Sequence, residues 1–407
     1  MSVSVRTVYN NKIVQYPEAA NNYTFLQGQR RWKRMRRSHQ PNGGRIPENI
    51  HEFAEALTRP ENTAYSHTLQ TPPSTFFQQE LVINGTNEGV IFANLDAIRF
   101  REELATVTTV GIDETFKTVL AAPADLKSFL TFQVVFKSVS FLMVYVLLRN
   151  RTEETDITLF NIVRQILHLN YNLIRFVTDF ERGVMNAVQR AFPESRLGCC
   201  WFHYTQTIVQ YCHRKSNGVL DLVKRSPEAA RVFRMILALP HLHAVRGHPL
   251  CPRLYMYDVK QGMKNFLIGY IKHYWFFQVG PEFFSVFGED YRTNNYLESF
   301  YSTLLVQMGH HPNVWDFLLE VVTTPILNSF SKLTYIENQF SVEFNQVRNN
   351  LMVRGGISRS QRVLATHLIA QNVQLLNEEQ DLLMFLRRTG HQNDAYVQRE
   401  IGPYAQP

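Results

Sequence analysis

The stretch L-I-R-F-V-T-D-F-E-R-G-V-M-N-A-V-Q-R-A-F-P-E-S-R-L-G-C-C-W-F-H, residues 173–203, decides the reading of the fold. Leu173 to Val177 is a β-branched, apolar run and reads as a buried strand ending on Thr178 and Asp179. Glu181 to Phe192 then carries apolar residues at helical spacing (Val184, Ala187, Val188, Ala191) and stops at Pro193. Arg196 to Phe202 reads as a second strand, ending on His203. An acid at the carboxyl end of a buried strand, just before a helix, is where open α/β sheets place their chemistry. Asp179 taken alone also suits a simple helix cap, so its meaning depends on partners elsewhere.

Working outward, Val107 to Val119 is β-rich with Asp113 at its centre, and Phe129 to Phe136 and Phe141 to Leu148 are two further apolar strands. The short connection between these two predicts an antiparallel hairpin. Glu153 to Leu169 predicts an amphipathic helix with Leu159, Ile162, Val163, Ile166 and Leu167 facing inward. The order is three strands, a helix, a strand, a helix and a strand, which predicts a mixed sheet with helices on its faces. A ribonuclease H-like α/β core has this order. In that fold an acid midway along the first strand and another ending the fourth lie side by side, the places held by Asp113 and Asp179. Two carboxylates about 4–5 Å apart repel one another unless protonated or bridged by cations, and divalent metal is the usual solution.

The flanks are mostly helical in pattern. Ile46 to Leu57 reads as a short helix, residues 59–75 as loop and Asn94 to Leu104 as helix. Tyr204 to Lys215 continues as helix, and residues 217–285 read as an inserted helical region. Glu289 to Leu305, E-D-Y-R-T-N-N-Y-L-E-S-F-Y-S-T-L-L, predicts a helix capped by Asn294 or Asn295, with Glu298 near its first turn and Leu297, Tyr301, Leu304 and Leu305 apolar. The expected division is a basic arm over 1–44, a helical lead-in over 45–105 and the first part of the core over 106–216. An all-helical insertion follows over 217–288, then the helices that complete the core over 289–325 and a helical C-terminal region over 326–407.

Composition narrows the class. The chain has 407 residues, 45% of them hydrophobic, enough for a sizeable core in two or three domains. Its longest apolar run, Phe141 to Leu148, is too short to span a bilayer, and no signal-peptide pattern opens the chain. Four cysteines (Cys199, Cys200, Cys212, Cys251) do not make a secreted disulfide framework at this length, so an intracellular protein with reduced thiols is expected. Of the net charge of +7, the first 60 residues hold ten Lys/Arg against four Glu, a local excess of six. The run R-R-W-K-R-M-R-R supplies Arg30, Arg31, Lys33, Arg34, Arg36 and Arg37, interleaved with Trp32 and Met35. That pattern suits DNA phosphate contacts with stacking, or a nuclear import signal, or a solvated charge run without periodicity.

The motifs together resemble the Mutator-like (MULE) transposases found in animal genomes. The matching pieces are D-E-T-F-K at Asp113, L-L-R-N-R-T-E-E-T at Leu147 to Thr155, T-D-F-E at Thr178 and A-F-P at Ala191. They continue with G-C-C-W-F-H at Gly198, R-T-N-N-Y-L-E-S at Arg292 and H-P-N-V-W at His311, in family order over roughly residues 45–325. The resemblance implies a ribonuclease H-like core interrupted by a helical insertion, with Asp113, Asp179 and Glu298 as an acidic triad binding two Mg²⁺ or Mn²⁺ ions. Glu289, Asp290 and Glu181 are the reserve acids. It further implies DNA strand cleavage and strand transfer, double-stranded DNA partners (element ends and target) and a nuclear location, with no membrane association. A homo-oligomer is left open. Cys200-x-x-His203 matches the family's C-x-x-H element, and a zinc site there is not expected, because two ligands at this spacing make a poor one.

Two departures from the family matter. Glu114 stands where members usually have Gly, and strand alternation places it on the face opposite Asp113. Relatives often carry an N-terminal FLYWCH zinc finger; F-L-Q-G-Q-R-R-W-K-R (Phe25 to Arg34) echoes its opening, yet residues 1–198 contain no cysteine to bind zinc. The alternative function is therefore a domesticated or decayed copy that binds DNA without cutting; a generic nuclease or RNA-processing role is a third.

Overall fold

Apolar runs rich in β-branched and aromatic residues become strands in the computed structural model, which describes residues 5–38, 40–98, 101–115, 120–214, 218–244, 260–293, 301, 312–318, 333–351 and 379–402. The strands are β1 (Phe77–Ile83), β2 (Thr86–Ala93), β3 (Thr109–Thr115), β4 (Ser128–Phe136), β5 (Val139–Leu148), β6 (Arg175–Thr178) and β7 (Arg196–Cys199). The helices used below are α1 (Val5–Gln15), α2 (Pro17–Asn22), α3 (Phe25–Ser38), α4 (Ile50–Thr58), α5 (Glu153–Ile166), α6 (Arg182–Ala191) and α7 (Trp201–Cys212). They continue with α8 (Val219–Arg225), α9 (Pro227–Ala238), α10 (Gln261–Phe266), α11 (Val314–Leu318), α12 (Leu333–Arg348), α13 (Glu379–Thr389) and α14 (Asp394–Ile401).

The sheet is mixed, with strand order β1-β2-β5-β4-β3-β6-β7. The pairs β1/β2, β2/β5, β5/β4 and β4/β3 are antiparallel, and β6/β7 is parallel. Three antiparallel strands followed by βα units make this the ribonuclease H-like α/β class expected from the sequence. Every position of β4 and all but Ser140 of β5 are buried, which explains why these strands read as largely apolar runs rather than alternating ones, with Thr131 and Gln133 of β4 buried among them.

Two compact units divide the chain. One comprises Met1–Tyr171, Arg190–Phe192 and Leu297–Arg354, and the other Asn172–Gln189, Pro193–Tyr296 and Gly355–Pro407. In the first, α4 starts at an Asn49 cap whose side chain accepts the Glu52 N–H at 2.9 Å. Its buried face (Ile50, Phe53, Ala54, Leu57) joins a core with Phe76, Phe92, Tyr145 and Trp315. Trp315 meets Phe53 and Tyr65 edge-on at 5.7 and 5.4 Å, and its indole N–H donates to the Arg45 carbonyl at 2.9 Å. In the second unit α7, α8, α9 and the π-helical stretch Leu267–Val279 that continues α10 build a separate core around Trp275, Phe233 and Tyr204. Phe385 and Leu386 of α13, and Val397 and Ile401 of α14, complete it. Of the aromatic residues in this insertion, Trp275, Phe276 and Phe284 are buried core, while Phe277 is exposed.

Two expectations are corrected. The lead-in over 45–105 is not only helical, because it holds the β1–β2 hairpin, which extends the sheet beyond β5. Its turn is Asn84-Gly85, both at positive φ (50° and 78°), the two-residue loop whose twist suits a hairpin. The arm over 1–44 is also not aperiodic: α1, α2 and α3 occupy it. Arg, Lys and Met are good helix formers, and α1 meets α3 where Tyr9 packs edge-on against Phe25 at 5.4 Å.

Candidate active site

Asp113 is the fifth residue of β3, half-buried, and directly opposite Thr131 of β4. Its main-chain carbonyl accepts a hydrogen bond from the Tyr301 hydroxyl at 2.7 Å, and the Tyr301 oxygen also meets Thr131 Oγ1 at 2.7 Å. Burial, and after it the negative charge of Asp113, hold the Tyr301 phenol well above its ordinary pKa, so it keeps its proton. Tyr301 was legible in the sequence only as one apolar position of a helix. Nothing in its spacing announces a bond to a residue 188 positions earlier.

The neighbouring Glu114 is ion-paired with Arg151, which in turn sits 3.3 Å from both carboxylate oxygens of Asp156 in the first turn of α5. Asp156 is buried, so the pair of acids and the single guanidinium form a closed cluster. The Glu114 charge is thus compensated within the fold.

In the second unit the chemistry gathers at the carboxyl ends of the parallel pair β6 and β7. Asp179 follows the last residue of β6; its Oδ1 accepts the Glu181 N–H at 3.2 Å, and the Thr178 hydroxyl donates to the Asp179 carbonyl at 2.8 Å. The capping reading of Asp179 is therefore realised in part, at the turn that leads into α6. The Cys200 N–H donates to the Thr178 carbonyl at 2.9 Å, prolonging the β6–β7 ladder by one bond before α7 begins. That brings His203, in the first turn of α7, close enough to Asp179 to feel its charge. Burial pushes the His203 pKa down and the Asp179 carboxylate pulls it partly back, leaving it below the ordinary value. Cys199, Cys200 and Cys212 are buried free thiols, and burial pushes Cys212 up to about 12. Cys251 lies outside the described residues.

Glu289, one of the reserve acids, is held by two arginines. Arg175, buried at the start of β6, places Nε 3.4 Å from Glu289 Oε1 and donates to the Tyr291 carbonyl at 3.2 Å, and Arg196 reaches the same Glu289 oxygen at 2.8 Å. A Cβ on Gly198 would come within 2.2 Å of the Arg175 guanidinium, so this glycine makes room for the cation. Arg292, the first residue of R-T-N-N, accepts the Trp201 N–H on its carbonyl at 3.0 Å and sets its guanidinium 5.5 Å from the Trp201 ring. Burial pushes the Arg292 pKa down to about 10, which still leaves it charged at neutral pH. Asp290 and Glu181 are exposed. Glu298, with Asn294 and Asn295, lies outside the described residues.

Among the described residues no three His, Cys, Asp or Glu side chains gather closely enough to hold a metal ion. The donor set in question is carboxylate oxygen, which suits hard Mg²⁺ or Mn²⁺ rather than zinc. Of the six basic positions in the arm, all on α3, Arg30, Arg31 and Arg34 are exposed, and Arg31 donates to the Tyr23 hydroxyl at 2.7 Å. The side chains of Lys33, Arg36 and Arg37 lie outside the described set.

Comparison with known proteins bears on these elements directly. No curated protein matches the chain. A solved structure, the Drosophila P element transposase strand transfer complex, is 10% identical, with 92% of this chain and 100% of that chain covered at a TM-score of 0.26. The family model of the MULE transposase domain matches residues 109–207. Residues 109–207, which contain Asp113, Asp179, Cys200 and His203, are thus the part of the chain that is similar to the MULE transposase domain.

Proposed function

We propose that this chain is a DNA transposase of the Mutator-like type, cutting and joining strands by metal-dependent phosphoryl transfer, with Asp113, Asp179 and Glu298 as its acidic triad. The observation that supports the proposal is that one segment similar to the MULE transposase domain, residues 109–207, contains both aspartates, Asp113 on β3 and Asp179 directly after β6. Glu298 enters from the R-T-N-N-Y-L-E-S motif. Two divalent ions, when bound, would activate a water or 3′-hydroxyl and stabilise the leaving oxygen. The chain's own part is to present carboxylates from rigid strand positions. His203 stays neutral at pH 7 beside Asp179, so it adds no cation to compete with a metal there. Arg151 offsets Glu114, which removes the objection that a fourth acid would draw a cation into an unproductive place. The basic helix α3 is assigned to double-stranded DNA, and the protein to the nucleus where that substrate lies.

Cleavage of DNA carrying the element's own ends, with Mg²⁺ or Mn²⁺, tests the reading. Asp113→Asn and Asp179→Asn keep the shape of the side chain but remove the charge that holds a cation, so each is expected to abolish the cut while DNA binding survives. Both variants should fold, since Asn keeps the shape of the Asp side chain and both positions are only half-buried. No cut from the wild-type chain, and none from Glu114→Gly, would turn the assignment to a DNA-binding protein that does not cleave.

A further inference from the structure

We propose that the Tyr301 hydroxyl is a positioning group for the Asp113 carboxylate, acting through the main chain of β3. The inference rests on reading Asp113 as an acid of the reacting site. A phenol has one proton to give, and here it goes to the Asp113 carbonyl at 2.7 Å. Thr131 Oγ1, 2.7 Å from the same oxygen, must then be the donor of the second bond. Asp113 and Thr131 are paired across β3 and β4, so their side chains leave the sheet on the same face. The hydroxyl therefore pins the backbone at Asp113 to its cross-strand partner on the face from which the carboxylate projects.

The ring that carries this hydroxyl is itself held. Tyr301 is 9% exposed and meets Phe129 edge-on at 6.4 Å. Rotation about the Asp113 φ and ψ angles is thus restrained by a hydrogen bond whose donor is buried against Phe129. Asp113 lies only two residues from the end of β3, where ladder bonds alone hold a strand less firmly.

The test compares Tyr301→Phe, Thr131→Val and the double variant in nicking of supercoiled plasmid across a Mn²⁺ titration. Tyr301→Phe removes the donor to Asp113 together with the acceptor of the Thr131 hydroxyl, and is expected to slow nicking about tenfold and to raise the Mn²⁺ concentration needed for half-maximal rate. Thr131→Val leaves that donor in place, so it should cost less, and the double variant should be no worse than Tyr301→Phe. Melting curves locate a temperature at which all forms are folded, and rates are compared there. Equal rates and equal Mn²⁺ dependence for Tyr301→Phe and wild type would overturn the inference, as would a Thr131→Val defect as large as that of Tyr301→Phe. Failure of the parent reading looks different: the wild type would then nick no better than Asp113→Asn, and both proposals would fall together.

Discussion

Burial decides the charge of two histidines in the second unit. His241 is fully enclosed, lies edge-on to Trp201 at 4.3 Å, and is driven well below its ordinary pKa by burial and then by the charge of Arg292. His203 is pushed down for the first of these reasons. When the folded pKa lies below the unfolded one, the unfolded chain binds the extra proton. The stability held by the neutral forms is therefore complete above about pH 6.5 and is lost as pH falls below it. The melting temperature should drop between about pH 7.5 and pH 5, and His241→Phe should flatten that drop; an equally steep fall in the variant would remove His241 as the cause. Glu114 belongs to the same scale. Strand alternation was enough to assign it a face, but its partner Arg151 comes from beyond β5, where periodicity carries no information.

Among the elements, α3 turns a charge run into a surface. Arg30 and Arg34, one helical turn apart, are both exposed on α3, and Phe25 at its start meets Tyr9 of α1. Arg31 stands apart, bonded to the Tyr23 hydroxyl. Neutralising Arg30 and Arg34 together should weaken binding to duplexes of any sequence and lower the slope of log affinity against log salt by about 2, since each lost phosphate contact is worth about 0.9. Arg31→Gln should change the slope less. If affinity and slope both hold while nuclear accumulation is lost, α3 is an import signal alone. This helix was legible in the spacing of its apolar residues, as the β1–β2 hairpin was in Asn84-Gly85; local signals were present in both places and composition masked them. The β4–β5 turn shows the opposite case. Lys137 and Ser138 adopt positive φ (46° and 68°) with no glycine or asparagine to favour it, so the pairing of two strong strands imposes the turn.

The whole molecule has two cores that the chain leaves and re-enters. The first unit takes in residues 297–354, and the second then recovers the chain from 355 to its end, so α13 and α14 close a core begun at α7. A chain ending at residue 354 should expose the apolar surface that Phe385, Leu386, Val397 and Ile401 cover, at roughly 1.5–3 kcal/mol for each large side chain. Lower thermal stability and stronger binding of a hydrophobic dye are the expected readings, and an unchanged melt would show that this segment is dispensable. Charge is also distributed at this scale: of the net +7, an excess of six lies in the first 60 residues, so the field that would steer a polyanion comes from one end of the chain.

The sequence by itself determined the order of strands and helices in the core, the mixed sheet, the places of Asp113 and Asp179 in it, and the resemblance that residues 109–207 bear to the MULE transposase domain. Each follows from local apolar periodicity or from motifs whose residues lie close together in the chain. Tertiary structure alone decided which groups meet: the Tyr301 hydroxyl on the Asp113 carbonyl, Arg151 on Glu114, Arg175 and Arg196 on Glu289, and the C-terminal helices on the insertion core. Periodicity specifies the face a side chain occupies but not what is packed against that face. That partner is chosen by the folding of segments far apart in the chain, 188 residues for Tyr301 and Asp113, through hydrogen bonds and buried area that no local pattern encodes.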